Sequence, residues 1–264
     1  MPRNGKARIP SPEEKKLLFE KIAKNRHPVK NRAIMEVSFK LGLRVQEISL
    51  LEIKEVAQLF GAVGSSNRDF ALHKIMTLPA MYTKGSGAMK RSQSDYKRRT
   101  VTFKVSEFDA LVEQIKELTL AGVPIEPKRF YPVVNLRKGK TRDLPLVDES
   151  LIDALNQHIK MRLEQDPYLT PSSPLFVSQK GGAYSPNTLQ EHMALMLRKW
   201  AYIEKSSSHS GRRALATDIL HKQRKPISVA QVILGHVQAA TTVTYSQPTE
   251  EEVSDALGML DKNY

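Results

Sequence analysis

Apolar residues recur at helical spacing through most of the chain. Ser11, Pro12 and Glu14 make a helix start: a hydroxyl cap, proline at the first helical position and a carboxylate three residues after the cap. Leu17, Leu18, Ile22 and Ala23 give that helix its stripe. A second helix is predicted over about 29–41 from Ala33, Ile34, Val37, Phe39 and Leu41, with Gly42 as its C-cap. Leu43 to Glu47 then restart a helix that carries Ile48, Leu50 and Leu51. Residues 106–122 (SEFDALVEQIKELTLAG, capped by Ser106) and 149–165 (ESLIDALNQHIKMRLEQ) read as amphipathic helices. Ser185 and Pro186 open another, whose Leu189, Met193, Met196, Leu197 and Trp200 are assigned to the core. Helices over about 209–220, 228–234 and 250–260 follow, the last with Val253, Ala256, Leu257 and Leu260 on one face.

Period-two patterning is sparser. LHKIMTLPAMYTKG (72–85) reads as a strand leading to a hairpin, although Pro79 weakens it, and TVTFKV (100–105) and LFVS (175–178) as short strands. FYPVVNLRKGKTRDLPL (130–146) reads as a hairpin: a strand over 130–136, a basic turn over 137–141 and a return from Asp143 to Leu146. The expected fold is mainly α with a small antiparallel β-sheet, an α+β arrangement. No internal repeat or low-complexity tract interrupts it.

Charge changes this picture. The 264 residues hold 41 Lys and Arg against 28 Asp and Glu, a formal charge of +13, which favours a polyanionic partner. The absence of Cys removes disulfide and thiolate chemistry. Neither a membrane-length apolar run nor a signal-peptide pattern is present, so a cytoplasmic location with no membrane partner is expected. The segment 84–99 concentrates Lys84, Lys90, Arg91, Lys97, Arg98 and Arg99 around Tyr96, and reads either as a DNA-facing loop or as a solvated charge run. Arg137, Lys140, Arg142 and Arg213 are further candidate DNA contacts.

The chemically informative residues lie in order along the chain. Arg44 follows a glycine at the start of a helix, where its planar fork suits two phosphate oxygens; the alternative is a plain salt bridge to Glu47. His209, Arg212, His236 and Tyr245 fall within the last quarter. A phenol attacking a phosphodiester needs to lose its proton, cations for the two non-bridging oxygens, and an acid for the departing oxygen. Tyr245, the two arginines, the histidines and a lysine such as Lys138 supply those groups. Singly, each residue also has a structural reading: His209 as a helix cap, His236 as a packing histidine, Tyr245 as a half-buried aromatic.

Jointly, GLRVQE (42–47), KGKTRDLPL (138–146), PLFVS with KGG (174–182), HSGRRALAT (209–217) and LGHVQAATTVTY (234–245) resemble the tyrosine recombinase (phage integrase) family. The resemblance implies Arg44, His209, Arg212, His236 and Tyr245 as the catalytic set, Glu47 as support for Arg44, and Lys138 as the hairpin general acid, with Lys84 and Lys140 in reserve. It implies site-specific recombination through a 3′-phosphotyrosyl link without cofactor or metal. The alternatives are type IB topoisomerase-like relaxation and a non-catalytic DNA-binding protein on the same fold. The implied partners are duplex DNA with paired half-sites, a homotetramer on DNA, and an accessory DNA-bending or directionality protein. Two features depart from the family. Lys138 lies 94 residues (138 − 44) past Arg44, so an insertion is expected at about 60–125; choosing Lys84 instead puts the extra material downstream of the lysine. The usual N-terminal core-binding domain is expected to be absent, leaving a basic arm over 1–10, a catalytic domain over 11–248 and a C-terminal helix and tail over 249–264 that docks in trans.

If the segment from Lys90 to Arg99 stands in for part of a DNA clamp, reversing its charges weakens DNA binding and flattens its salt dependence. Unchanged affinity in an equilibrium titration at two salt concentrations would assign the run to solvent.

Overall fold

A computed structural model describes residues 7–65, 67–82, 105–125 and 141–245. Helix α1 (Pro12–Ala23) starts on the predicted capping box: Glu14 N–H donates to Ser11 Oγ at 3.2 Å and Ser11 N–H to Glu14 Oε2 at 2.8 Å. Its Leu18 and Ile22 are buried against α2 (Pro28–Lys40). Helix α2 is the hub. Ala33, Ile34, Met35, Val37 and Phe39 are all buried, because α1, α3 (Val45–Leu50), the long α5 (Glu149–Gln165) and α7 (Ser210–Thr217) pack around it. Gly42, two residues past the helix, takes φ +61°, the left-handed conformation that turns the chain toward Arg44.

The expected small antiparallel β-structure is present: among the described residues the strands pair in two two-stranded antiparallel sheets. Strand β1 (Ala57–Phe60) pairs with β2 (Asp69–Leu72), running from Ala57 opposite Leu72 to Phe60 opposite Asp69. This hairpin was not expected from the sequence. Strand β3 (Ile75–Leu78) pairs with β4 (Arg142–Pro145), from Ile75 opposite Pro145 to Leu78 opposite Arg142. Period-two alternation sends Met76, Leu78, Arg142 and Leu144 inward. The expected return strand therefore exists, but its partner among the described residues is β3, not 130–136, which lie outside them. The chain leaves this ladder after Leu78 and rejoins it at Arg142.

Two compact units result: Met1–Ala88 with Lys138–Tyr264, and Met89–Arg137. The described part of the second contains α4 (Val105–Leu120), which has no buried residue and runs through Ser106 instead of being capped by it. In the first unit, Asp148 caps α5 (Glu149–Gln165) through the Leu151 N–H at 3.1 Å, and Ser185 caps α6 (Pro186–Leu195). In place of a strand over 175–178 there is a single bridge, Val177 to Ala183, with another just before it, Glu52 to Pro174. Helices α6 and α7 (Ser210–Thr217) each end in a π-helical turn, at Met196–Trp200 and Asp218–Lys222. Helices α8 (Ile227–Leu234) and α9 (Ala239–Val243) close the described chain. Leu189, Met193, Met196 and Leu197 are buried, as assigned. Residues 7–10 are held in place: Arg8 N–H donates to the Lys205 carbonyl at 3.1 Å, and its side chain pairs with Glu14 at 2.8 Å. The expected strand at 100–105 (to residue 104) and the helix over 250–260 lie outside the described residues, and no described helix is long and apolar enough to cross a membrane.

Helices α2 and α7 meet at Gly211, where an added Cβ would lie 2.4 Å from Ser38 Oγ and 2.9 Å from the Ser38 carbonyl group. Gly211→Ala is expected to cost about 2 kcal/mol through this overlap, lowering the urea midpoint with an unchanged m-value. A midpoint at or above that of the unaltered chain would refute such close packing.

Candidate functional site

Three arginines and one carboxylate form the floor of the site. Arg44 is the N-cap residue of α3; its main-chain N–H donates to Glu47 Oε2 at 2.7 Å and its Nη1 to Oε1 at 3.0 Å. The salt bridge weighed as the plain alternative thus forms, and it orients the guanidinium. Glu47 is fully buried. Its Oε1 also lies 2.8 Å from Nη2 of Arg142, an ion-pair contact without good hydrogen-bond alignment. Nη1 of Arg142 donates to the Ile233 carbonyl at 2.8 Å. Arg142, expected to contact DNA, is therefore buried beneath the site, because strand alternation turns it inward with Leu144.

Arg212, one turn into α7, is 2% exposed. Its Nη1 donates to the Gly42 carbonyl at 2.6 Å, and its Nη2 to the Leu234 carbonyl at 2.5 Å and to His236 Nε2 at 2.8 Å. Burial, then the neighbouring Arg44 cation, lower its pKa to about 10, so it stays charged at neutral pH. It also feels the charges of Glu47, Tyr245 and Arg142, which gathers these groups around one point.

His236 follows Gly235, the left-handed C-cap of α8. A guanidinium only donates, so His236 Nε2 is the acceptor and Nδ1 carries the proton, donated to buried Thr242 Oγ1 at 2.8 Å. Burial first, then Arg212, Arg44 and Arg142, pull the imidazole pKa down to about 3. The neutral ring stacks on Tyr245, with centroids 5.8 Å apart and planes 8° from parallel. Tyr245 N–H donates to the Thr242 carbonyl at 2.9 Å, and His221 Nε2, on the π turn after α7, donates to the Tyr245 carbonyl at 3.1 Å.

The structure thus brings together Arg44, Glu47, Arg212, His236 and Tyr245. His209 stands exposed at the N-cap of α7, one turn before Arg212, without making a side-chain cap bond. Arg213 is half-buried and donates to the Ala7 carbonyl, so part of its fork serves the N-terminal segment. Lys84, Lys90, Arg91, Lys97, Arg98, Arg99, Arg137, Lys138 and Lys140 lie outside the described residues. Sequence reasoning passed over Thr242 and His221, which carry no local signal, and misread Arg142, whose signal was the alternation of Arg142, Leu144 and Leu146. Among the described residues, no cluster of three or more His, Cys, Asp or Glu side chains is placed to hold a metal ion.

With this geometry in place, comparison with known proteins gives its class. The phage integrase family matches residues 111–252, just over half of the chain, and the chain belongs to that family. The match takes in Lys138, His209, Arg212, His236 and Tyr245, while Arg44 and Glu47 precede it. The tyrosine recombinase XerC of Methylobacterium sp. (strain 4-46) is 37% identical over 82 residues, 31% of this chain and 25% of that protein. The tyrosine recombinase XerA of Pyrococcus furiosus is 26% identical over 146 residues, 55% of this chain and 48% of that one. Each aligned stretch spans half or less of the relative's own length. The fold is similar to that in the crystal structure of XerA recombinase, with a TM-score of 0.58, 19% identity, and coverage of 98% of this chain and 65% of that one. It is also similar to XerH site-specific recombinase bound to difH substrate in a pre-cleavage complex, with a TM-score of 0.51, 17% identity, and coverage of 96% and 54%.

His158 shares the fate of His236: fully buried, and beside Arg162 and Lys30, its pKa is lowered from 6.5 to about 4. Unfolding frees it to bind a proton, so its contribution to stability is intact above pH 6.5 and is lost as pH falls from there toward 4. In His158→Gln, which keeps a donor for the Leu175 carbonyl, the urea midpoint should fall less between about pH 7 and pH 4.5 than in the unaltered chain. Equal falls would mean that the imidazole titrates alike in both states.

Proposed function

We propose that the chain is a site-specific DNA recombinase that cleaves and rejoins duplex DNA through a 3′-phosphotyrosyl intermediate. The observation that carries this reading is the juxtaposition of the Tyr245 ring, stacked on His236, with the Arg212 guanidinium that His236 accepts from. The Tyr245 oxygen attacks the scissile phosphorus and the bond to the 5′ oxygen breaks. The phenolic proton passes to His209, and a hairpin lysine returns a proton to the departing oxygen. Arg44 and Arg212 stabilise the charge gathering on the two non-bridging oxygens.

His236 takes a different part from the proton exchange expected of it. A neutral ring whose Nε2 is occupied by Arg212 positions that guanidinium and the tyrosine; it does not titrate near neutral pH. The general acid is Lys138 on this reading, with Lys140 and Lys84 in reserve. Lys84 lies six residues after β3 and Lys138 four before β4, so both adjoin the same ladder. Paired half-sites, a tetramer on DNA with residues 249–264 docking in trans, and an accessory DNA-bending protein belong to the same proposal, supported by the family membership.

The test uses a pool of nicked duplexes with a randomised centre. After denaturation, DNA attached to the protein is recovered and sequenced. The unaltered chain should retain a defined sequence, and Tyr245→Phe should retain none. Capture that persists in Tyr245→Phe removes the tyrosine from the chemistry, and no capture by the unaltered chain removes the recombinase reading.

A further inference from the structure

Arg142 is costly where it sits. Its side chain is 6% exposed, against 22% for Arg44, and it lies close to both other guanidiniums. Burial first pulls its pKa down, and the Arg44 cation adds to that; Glu47 opposes both. A buried cation of this kind is often replaced by an apolar side chain with no loss of stability, so stability alone does not account for it. Nor does DNA, which a guanidinium under the floor does not reach.

Its contacts supply the reason. Nη2 sits on Glu47 Oε1, the same oxygen that receives Nη1 of Arg44, while Oε2 holds the main-chain N–H of Arg44. Nη1 donates to the Ile233 carbonyl in the last turn of α8, three residues before His236. The stem lies against Gly235, where an added Cβ would come within 2.5 Å of Cδ and 2.6 Å of Nε. We infer that Arg142 is a positioning residue for phosphate binding: through the Glu47 carboxylate and the Ile233 carbonyl, it ties strand β4 to Arg44 and to the turn that presents His236. Arg142 thus fixes the carboxylate that orients Arg44 through both of its oxygens, and the partly exposed Arg44 guanidinium keeps further N–H groups for a phosphate. The strand that closes the lysine hairpin thereby sets the orientation of the two phosphate-binding elements.

This inference rests on the recombinase reading, and the experiment separates the two. The probe is the nicked duplex captured by the unaltered full-length chain; the readouts are the single-turnover rate of covalent attachment, the DNA dissociation constant and thermal unfolding. Arg142→Met keeps the bulk of the stem and loses both polar contacts. Attachment is expected to slow by about 100-fold, the scale of an ångström-size misplacement of a catalytic group, with DNA affinity changed less than about threefold because the residue does not meet DNA. Arg142→Lys keeps the charge but not the planar fork, and should recover about tenfold of the lost rate. In a Glu47→Gln background, Arg142→Met should add less than its full penalty, because part of its effect runs through Glu47 and only the tie to the Ile233 carbonyl is independent of it.

An Arg142→Met protein that is folded and attaches at the unaltered rate overturns the inference, as does a penalty that multiplies fully with Glu47→Gln. If Arg142→Met does not fold, Arg142→Lys decides: a reduced rate at unchanged affinity supports the positioning role, and the unaltered rate refutes it. Attachment that survives Tyr245→Phe defeats the recombinase reading instead.

Discussion

The buried guanidinium of Arg212 is the contact on which the rest depends. Two of its acceptors are carbonyls at helix ends: Gly42, just beyond α2, and Leu234, the last residue of α8. Such carbonyls have no partner within their own helix and sit at the negative end of the helix dipole. Arg212 satisfies both, and the carbonyls in turn stabilise a charge that would otherwise be prohibitively costly to bury. The group assigned to the phosphate is therefore also the clasp that holds α2, α7 and α8 together. Gly42 permits this through its left-handed φ and its lack of a Cβ, which would lie 2.9 Å from Leu215 and 3.0 Å from Leu234.

A second consequence is electrostatic. Arg44, Arg142 and Arg212 share one carboxylate, Glu47, so the cluster carries an uncompensated positive charge. Adding another carboxylate would relieve the folded chain and weaken its hold on an anion. His236 fits this balance only as a neutral ring, because a fourth cation there would compete with Arg212 for the same space. The depressed imidazole pKa, the occupied Nε2 and the stacking on Tyr245 all follow from one arrangement.

Local signals were legible where neighbours in sequence are neighbours in space. Ser11 with Glu14, Ser185 with Pro186, and the apolar faces of α1, α2, α5 and α6 could be read directly, and so could the ordered motifs at Arg44, His209, Arg212, His236 and Tyr245. Pairings across long separations could not. The alternation around Leu144 announces a strand but does not name its partner, and two upstream segments, 75–78 and 130–136, had suitable composition. The character of Arg142 was hidden for a related reason: in a chain of +13, every arginine resembles a phosphate contact until burial distinguishes them. His236 looked like a neutral-pH proton carrier because its environment is assembled from Arg44, Arg142 and Arg212, each on a different element.

The β3–β4 pairing also recasts the choice of lysine. From sequence, the extra length had to lie either before the lysine hairpin, favouring Lys138, or after it, favouring Lys84. Since Leu78 lies opposite Arg142, everything between them in sequence connects two strands of one ladder, and the two options differ in which end of that connection carries the lysine. A two-stranded ladder tolerates a long connection because loop-closure entropy grows by only about 0.6 kcal/mol per doubling of loop length, while buried Met76, Leu78 and Leu144 hold its register. The question that distinguishes Lys84 from Lys138 is then which arm of the ladder leads to the scissile phosphate. Arg142 bears on it directly: it fixes the β4 arm to Glu47 and to the α8 turn, and Lys138 is four residues from that fixed point. Lys84 is six residues beyond β3, whose adjacent residue Leu78 faces the apolar core and makes no such tie. On the proposed reading, a general acid must meet the leaving oxygen within hydrogen-bonding distance. Of the two lysines, Lys138 is the nearer in sequence to a strand anchored at the site, and it is preferred for that reason.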